Sequence, residues 1–207
     1  MNTPSHFLIT AALRQGFRRS PIATSAWLFG AVAPDIALYA LSIGGALYYR
    51  ALLGWSPNAT WSHLFGTLYF QHPLWIASHN LLHSPTLLLP AVLGLWRFRW
   101  RQGTTLHGWF WFLLACLLHS VVDILTHVDD GPVLFFPFEW TMRFQSPVSY
   151  WDSRHYGAEF AVFELTLDLL LVGYVVLPRV GPWLRMRLTQ GAALKRAHTT
   201  SNVQEYE

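Results

Sequence analysis

The sequence predicts an all-helical membrane protein with about four apolar helices, and three observations support this fold class. Hydrophobic residues make up 53% of the chain and charged residues only 12%, against roughly 25% charged residues in a soluble domain. Four apolar stretches each approach the roughly 20 residues that a membrane span needs. Arginine and lysine are concentrated in one set of the connections between these stretches. The bilayer is therefore the expected solvent.

Each predicted span carries polar residues. The spans are residues 22–42, 73–96, 108–126 and 160–178. In chain order their polar residues are Asp35, then His79 and His83, then His119 and Asp123, then Glu164 and Asp168. Hydrocarbon cannot hydrogen-bond such groups, so each must face another helix or a cavity. We therefore expect the four apolar helices to surround a polar site.

The basic residues predict how the spans are oriented. Eleven of the 14 precede the first span, join the second to the third, or follow the fourth, and the other three are Arg50, Arg143 and Arg154. Short cytoplasmic loops are enriched in arginine and lysine. We expect a multi-pass protein of the inner (plasma) membrane with both termini cytoplasmic. Helices that enter only the membrane interface would give a similar pattern, so monotopic association stays open.

The length suits one domain. We expect one helical membrane-associated domain over residues 1–190 and a disordered polar tail over residues 191–207. The basic clusters lie beside apolar segments, which does not favour nucleic-acid binding. The single cysteine, Cys116, lies in an apolar run and excludes an intrachain disulfide. We interpret Cys116 as a core residue and not as a metal ligand.

The segment HSVVDILTH has the spacing of a metal site. His119, Asp123 and His127 fall at positions i, i+4 and i+8, which places them in one stripe on a helix. Imidazole and carboxylate groups suit zinc or another first-row divalent ion. A polar seam satisfied by neighbouring helices is the structural alternative. Because polar groups in apolar helices are costly and usually functional, we favour metal ligands.

Two further pairs show the same four-residue spacing. His79 and His83 lie in SHNLLHS, within an apolar segment without formal charge. His155 and Glu159 lie in RHYGAEF, just before the last span. Each pair alone is equally compatible with a structural role, as interface histidines or as a pair on a helix surface. The HxxxD motif favours the functional interpretation.

Single residues and one long connection complete the candidate set. Asp35 is the lone carboxylate of the first apolar run, and a buried carboxylate there needs a cation or a donor. His6, in PSHFLIT, is a further candidate ligand. The connection 128–154 is too long and too rich in Trp, Phe and Pro for a passive linker, so we expect it to fold over something. Its possible ligands or outer partners are Asp129, Asp130 and Asp152.

The order of these residues resembles two families. An early ligand, an aspartate, a histidine, HxxxD, another histidine and HxxxE resemble the zinc-dependent phospholipase C and nuclease superfamily. A closer resemblance is to the predicted membrane-bound metal-dependent hydrolases, which share an early histidine, a GAxxPD-like turn, an HS motif, and HxxxDxxT before an apolar proline-containing run. The corresponding segments here are His6, GAVAPD, HNLLHS, HSVVDILT and GPVLFFPF.

The resemblance, over residues 6 to 159, implies a metal-dependent hydrolase of phosphoesters or phospholipid-like molecules. It implies one to three divalent ions, with zinc first and manganese as the alternative. One ion would be held by Asp35, His79 or His83, His119 and Asp123, and another by His127, His155 and Glu159, with His6 as a further ligand. The catalytic candidates are Asp35, as general base, and Asp123. The implied partners are membrane lipid and a small-molecule or lipid substrate, without nucleic acid.

The predicted topology conflicts with the full ligand set. It places His6 on the cytoplasmic side and His127 near the opposite side, unless half-inserted segments converge on a shared cavity. A transporter or a metal or proton pathway is the alternative function, because midplane Asp35 and histidines suit translocation. A haem protein with histidine axial ligands is a third interpretation.

Overall fold

A computed structural model describes the backbone of residues 1–204 and the side chains of residues 1–178, 180, 181 and 186. The helices are α1 (Thr3–Gly16), α2 (Thr24–Gly30), α3 (Ala33–Ala46), α4 (Pro57–His63), α5 (Tyr69–Gln71), α6 (Pro73–Asn80), α7 (Pro85–Gly94), α8 (Thr105–Thr126) and α9 (Gly157–Gln204). Short π-helical turns, Leu47–Leu52 and Leu64–Leu68, continue α3 and α4. The all-α fold class is confirmed. The predicted tail, 191–207, lies outside the residues whose side chains are described, and its disorder stays a prediction.

Two described helices are long and apolar enough to cross a membrane, namely α8 and the first part of α9, Gly157–Pro178. A third candidate is the pair Thr24–Gly30 and Ala33–Leu52, which would form one span with a bend of 46° between its two helices. The described chain therefore has two or three such segments where the sequence predicted about four. The predicted span 73–96 is broken between Asn80 and Pro85, because a residue before proline favours an extended backbone and Ser84 adopts one (φ −72°, ψ 122°).

Helix α8 lies at the centre of the bundle and packs mainly against α2 and α7. One core cluster joins Phe112 and Cys116 of α8 to Ala33 and Leu88. Cys116 is fully buried, as expected of a core residue. Helix α2 approaches α8 closely at Gly30, where a β-carbon would overlap the carbonyl oxygen of Phe112. The absence of a side chain at position 30 therefore allows this contact.

Helix α1 packs beside α9 and is held there by two carboxylates. The backbone and side-chain amides of Asn2 donate to Glu164, each at 2.7 Å, and the Ser5 hydroxyl donates to Asp168 at 2.9 Å. Residue numbers increase together in these pairs, so α1 and α9 run parallel. Glu164 and Asp168 are not among the predicted ligands, and their contacts with α1 agree with that.

The course of α1 removes the conflict between His6 and the predicted topology. His6 lies 2.8 Å from Asp123, near the end of α8. Arg14 lines a pocket with Gly103 and His107, at the start of α8. A helix of this length spans roughly 20 Å, so α1 crosses most of the bundle and separates His6 from the arginines that follow it. The predicted orientation of the termini stays a prediction.

Enlarging Gly30 should destabilise the bundle. We expect Gly30→Ala to lower the free energy of unfolding by about 1–3 kcal/mol, because the new β-carbon must push α2 away from α8. Thermal unfolding in detergent measures this change. The matched control is Gly44→Ala in α3, where a β-carbon would meet nothing within 4 Å. Equal melting temperatures for both variants would show that the α2–α8 contact does not limit stability.

Candidate metal centre

Four predicted residues converge near the end of α8. They are Asp35, His83, His119 and Asp123, and each offers one ligand atom within 4.8 Å of the others. Helix α8 supplies His119 and Asp123 one turn apart, α3 supplies Asp35 in its first turn, and the turn after α6 supplies His83. Both histidines are almost fully buried. Sequence-distant segments therefore meet in one compact group.

Backbone carbonyls fix the tautomer of both histidines. Nδ1 of His119 lies 2.8 Å from the carbonyl oxygen of Ala31, and Nδ1 of His83 lies 2.8 Å from that of His79. A carbonyl oxygen only accepts hydrogen bonds, so each Nδ1 carries the hydrogen. In a neutral ring the lone pair is then on Nε2. Both Nε2 atoms point into the group, 3.2 Å apart.

While both rings are neutral, acceptor atoms therefore face one another in this group. Nε2 of His119 lies 3.1 Å from Asp123 Oδ2 and 3.5 Å from Asp35 Oδ1. Nε2 of His83 lies 3.5 Å and 3.6 Å from the same two oxygens. Ligand atoms around a tetrahedral zinc ion, with bonds of about 2.0–2.1 Å, are about 3.3 Å apart. The group fits one divalent ion in both geometry and ligand type.

The other oxygen of Asp123 faces a second set of groups. Oδ1 lies 2.8 Å from Nε2 of His6, 3.6 Å from Nε2 of His127 and 3.2 Å from the amino nitrogen of Met1. That amino group also donates to the Thr126 hydroxyl at 2.7 Å. A carboxylate oxygen only accepts hydrogen bonds, so Nε2 of His6 donates to it, and the positively charged amino group of Met1 also binds it. Asp123 joins two neighbouring sites that favour cations.

His127 is oriented by a carboxylate and an indole. Its Nδ1 lies 3.0 Å from Asp130 Oδ1, and Trp151 Nε1 donates to Asp130 Oδ2 at 2.8 Å. Burial lowers the pKa of His127, but its hydrogen bonds with Asp123 and Asp130 outweigh burial and raise it. Burial alone would raise the pKa of Asp130. The hydrogen bond with His127 has the opposite effect, and the net result is a lowered pKa. Asp130 thereby directs Nε2 of His127 towards Asp123.

The structure separates the roles of His79 and His83, which the spacing left open. His83 belongs to the four-residue group, whereas Nε2 of His79 lies 3.0 Å from the Tyr69 hydroxyl. Tyr69 donates its hydrogen to the carbonyl of Asp130 at 2.6 Å, so His79 must donate to Tyr69. His79 therefore supports the site from outside the group.

His155 and Glu159 are not brought into the group. Within the described chain, neither side chain forms a hydrogen bond or ion pair with the other predicted ligands. His155 ends a 3₁₀ turn, and Tyr156 then adopts a left-handed backbone (φ 62°) before α9 begins at Gly157. The expected helical stripe does not form, because the two residues do not share one helix. Their role as ligands stays a prediction.

A cavity of about 740 Å³ opens onto the group. Asp35, Asp123, His79 and His127 line its polar end. Its apolar walls are Leu38, Ile43, Trp61, Phe65 and Phe70. The connection after α8 also lines it, with Asp130, Tyr150 and Trp151. This agrees with the expectation that the long connection folds over a site.

Buried side chains around His83 that were not among the predicted site residues hold that connection in place. Asn80 Oδ1 accepts from the backbone amide of Val133 at 2.6 Å, and the Ser84 hydroxyl donates to the carbonyl of Phe136 at 2.9 Å. Thr3 was also missed, and its hydroxyl donates to Asp35 at 2.5 Å. The available signal was a run of small polar residues beside histidines in an apolar segment.

A comparison with protein families matches residues 1–186 to the YdjM inner membrane protein family. The chain belongs to this family. Searches of curated proteins and of solved structures found no match. The predicted resemblance was to membrane-bound proteins. Membership in the YdjM family confirms that the chain belongs to a family of inner-membrane proteins. The finer relationship with zinc-dependent phospholipase C and nucleases stays a prediction.

Replacing Asn80 should loosen the connection without unfolding α8. We expect Asn80→Leu to lower the free energy of unfolding by about 1–3 kcal/mol, because the buried amide of Val133 loses its acceptor. Limited proteolysis should then cleave within residues 128–152 faster than in the wild type. The control is Ser78→Ala, whose hydroxyl bonds only within its own helix. An unchanged cleavage rate in Asn80→Leu would contradict this role for Asn80.

Proposed function

We propose that this YdjM-family protein is a membrane-bound metal-dependent hydrolase that acts on a phosphoester, with a phospholipid-like molecule as the leading substrate. The observation that carries the proposal is the convergence of two imidazole nitrogens and two carboxylate oxygens, all acceptors while the rings are neutral, from three buried residues and the partly exposed Asp35. Buried acceptors without a donor are costly, so such a group favours a bound cation. Two nitrogen and two oxygen ligands suit zinc, with manganese as the alternative.

The geometry supports two ion positions that share Asp123. Asp35, His83, His119 and Asp123 Oδ2 would hold the first ion. Asp123 Oδ1, His6 and His127 would contribute to the second, which would take the place of the Met1 amino group and of the hydrogen on Nε2 of His6. Divalent ions held there would lower the pKa of a bound water and stabilise negative charge on a phosphoryl oxygen. Such paired sites recur in enzymes that hydrolyse phosphoesters.

Asp35 is the better candidate for proton transfer, and Asp123 for ion binding. Asp123 is more deeply buried, and its two oxygens face the two ion positions. The Asp35 side chain is 16% exposed and lines the cavity, so a substrate or water can reach it. The Thr3 hydroxyl, which is 2.8 Å from the Tyr39 hydroxyl, holds the other oxygen of Asp35. This arrangement orients Asp35 towards the cavity as a general base.

The cavity supports an amphiphilic substrate. At its polar end it is lined by Asp35 and Asp123 of the acceptor group, and its walls are aliphatic and aromatic. A volume of about 740 Å³ lies within the range of small-molecule sites. A phosphoester attached to an apolar chain would satisfy both ends at once. This complementarity favours a lipid-like substrate over a fully polar one.

Metal content and hydrolysis together test the proposal. We expect detergent-purified protein to carry at least one zinc or manganese ion per chain, measured by mass spectrometry of the metals. His83→Ala, His119→Ala and Asp123→Ala should lose the ion, because each removes a ligand of the shared group. His79→Ala should retain it. The matched control is His107→Ala, which removes a buried histidine at the opposite end of α8.

The metal-loaded protein should hydrolyse a phosphodiester such as bis(p-nitrophenyl) phosphate or a short-chain phospholipid. Asp35→Asn keeps one oxygen that can bind the ion but removes the basic carboxylate, so it should retain the metal and lower that rate by about a hundredfold or more, the scale of general-base catalysis. A folded wild type that binds none of a panel of divalent ions would refute the metal centre. Bound metal without hydrolysis of these substrates would refute the hydrolase, and metal or proton uptake into liposomes would then support the transport alternative.

A further inference from the structure

A second polar site lies at the end of α8 opposite the metal centre. A pocket of about 610 Å³ is bounded by Arg14, Arg18 and Arg19, at and beyond the end of α1, and by Gln102, Gly103 and His107, around the start of α8. We propose that this pocket binds the phosphate group of an anionic membrane lipid. The site shares no residue with the metal centre, so it does not depend on the proposed hydrolase.

The position of the pocket matches the surface of a membrane. Helix α8 begins at Thr105, beside Gly103. A neighbouring pocket of about 430 Å³ shares Arg14 and Arg18 and reaches Pro178, where the second spanning segment ends. Both arginines therefore lie where two candidate spans begin or end. A lipid phosphate lies at this depth, and its acyl chains can follow the helices into the hydrocarbon.

The positive charge of the pocket has no counter-charge nearby in sequence. The chain contains no aspartate or glutamate before Asp35 and none between Asp35 and Asp123. Among the described side chains, the one ion pair between an arginine and a carboxylate is Arg154 with Asp152. Arg14 donates to the neutral hydroxyl of Thr24 at 2.8 Å, which positions its guanidinium and leaves the charge in place. An anion would satisfy this arrangement.

The amino end of α8 also favours the binding of an anion in this pocket. Helix α8 has 22 residues, and the amino end of a helix carries a partial positive charge that attracts phosphate. Exposed aromatic residues surround this end of the bundle, including Phe17, Trp96 and Trp100. Aromatic rings favour the boundary between headgroups and hydrocarbon. These features favour a lipid phosphate over a soluble one.

Lipid binding to purified protein tests the site. Native mass spectrometry of the full chain, exposed to equal amounts of phosphatidylglycerol and phosphatidylcholine with the same acyl chains, counts the lipids retained. We expect the wild type to retain phosphatidylglycerol preferentially. Arg18→Gln with Arg19→Gln should weaken that retention by at least roughly tenfold, since each basic residue near a membrane surface attracts anionic lipid. An unchanged melting temperature in detergent serves as the check on folding.

The matched control removes two charges from the same end of the bundle but outside the pocket. Arg99→Gln with Arg101→Gln should reduce retention less than about threefold, because these guanidinium groups lie over aromatic rings and do not line the pocket. Equal losses in the two double variants would overturn the site in favour of diffuse surface charge. Absence of a preference in the wild type would also overturn it. Displacement of phosphatidylglycerol by equimolar inorganic phosphate would show a site for soluble anions and contradict a lipid site.

Discussion

The convergence of four acceptor atoms at the end of α8 is the constraint on which the rest of the structure depends. Nε2 of His83 and of His119 face each other and the carboxylates of Asp35 and Asp123 at 3.1–3.6 Å. Without a positive charge among them, these groups repel one another in an interior where water does not screen them. A cation that binds the folded chain and not the unfolded chain would therefore stabilise the bundle.

The contacts that hold the helices together also orient the ligands. The carbonyl of Ala31, next to the close approach at Gly30, accepts from His119 and so links the packing of α2 against α8 to the tautomer of that ring. The Ser120 hydroxyl of α8 donates to the carbonyl of His83. Because both histidines are fixed through backbone groups, a shift of either neighbouring segment would alter the ligand geometry. The same contacts therefore determine both the packing of the helices and the orientation of the ligands.

The parts of the site within a continuous helix were predictable from sequence, and the parts that depend on chain turns were not. His119 and Asp123 follow α-helical periodicity through α8, so spacing alone placed them together. His155 and Glu159 have the same spacing, but the left-handed backbone at Tyr156 separates them. The break before Pro85 divided a predicted span for a similar local reason. The fold class could be predicted from composition. The length of the apolar stretches and the small share of charged residues do not depend on such turns.

Tertiary contacts decided the remaining differences. Helix α1 is too polar to be recognised as a membrane segment, yet Glu164 and Asp168 bind its Asn2 and Ser5 and hold it against α9. His6 could be placed beside Asp123 only once this packing was known. The choice between His79 and His83 likewise depended on Tyr69, which lies ten residues from His79 and hydrogen-bonds to it. These contacts join separate segments, and no sequence motif in either segment predicts which partner it contacts.

X-ray absorption spectroscopy of the metal-loaded protein tests the central claim most directly, because it reports the atoms that bind the ion. The account predicts nitrogen and oxygen neighbours at about 2.0–2.2 Å, including the outer-shell scattering of two imidazole rings, and no sulfur neighbour. His83→Ala, treated with metal in the same way, should lose the ion and with it this pattern. A spectrum with only water oxygens, or one unchanged by His83→Ala, would contradict the assignment of the acceptor group as a metal centre.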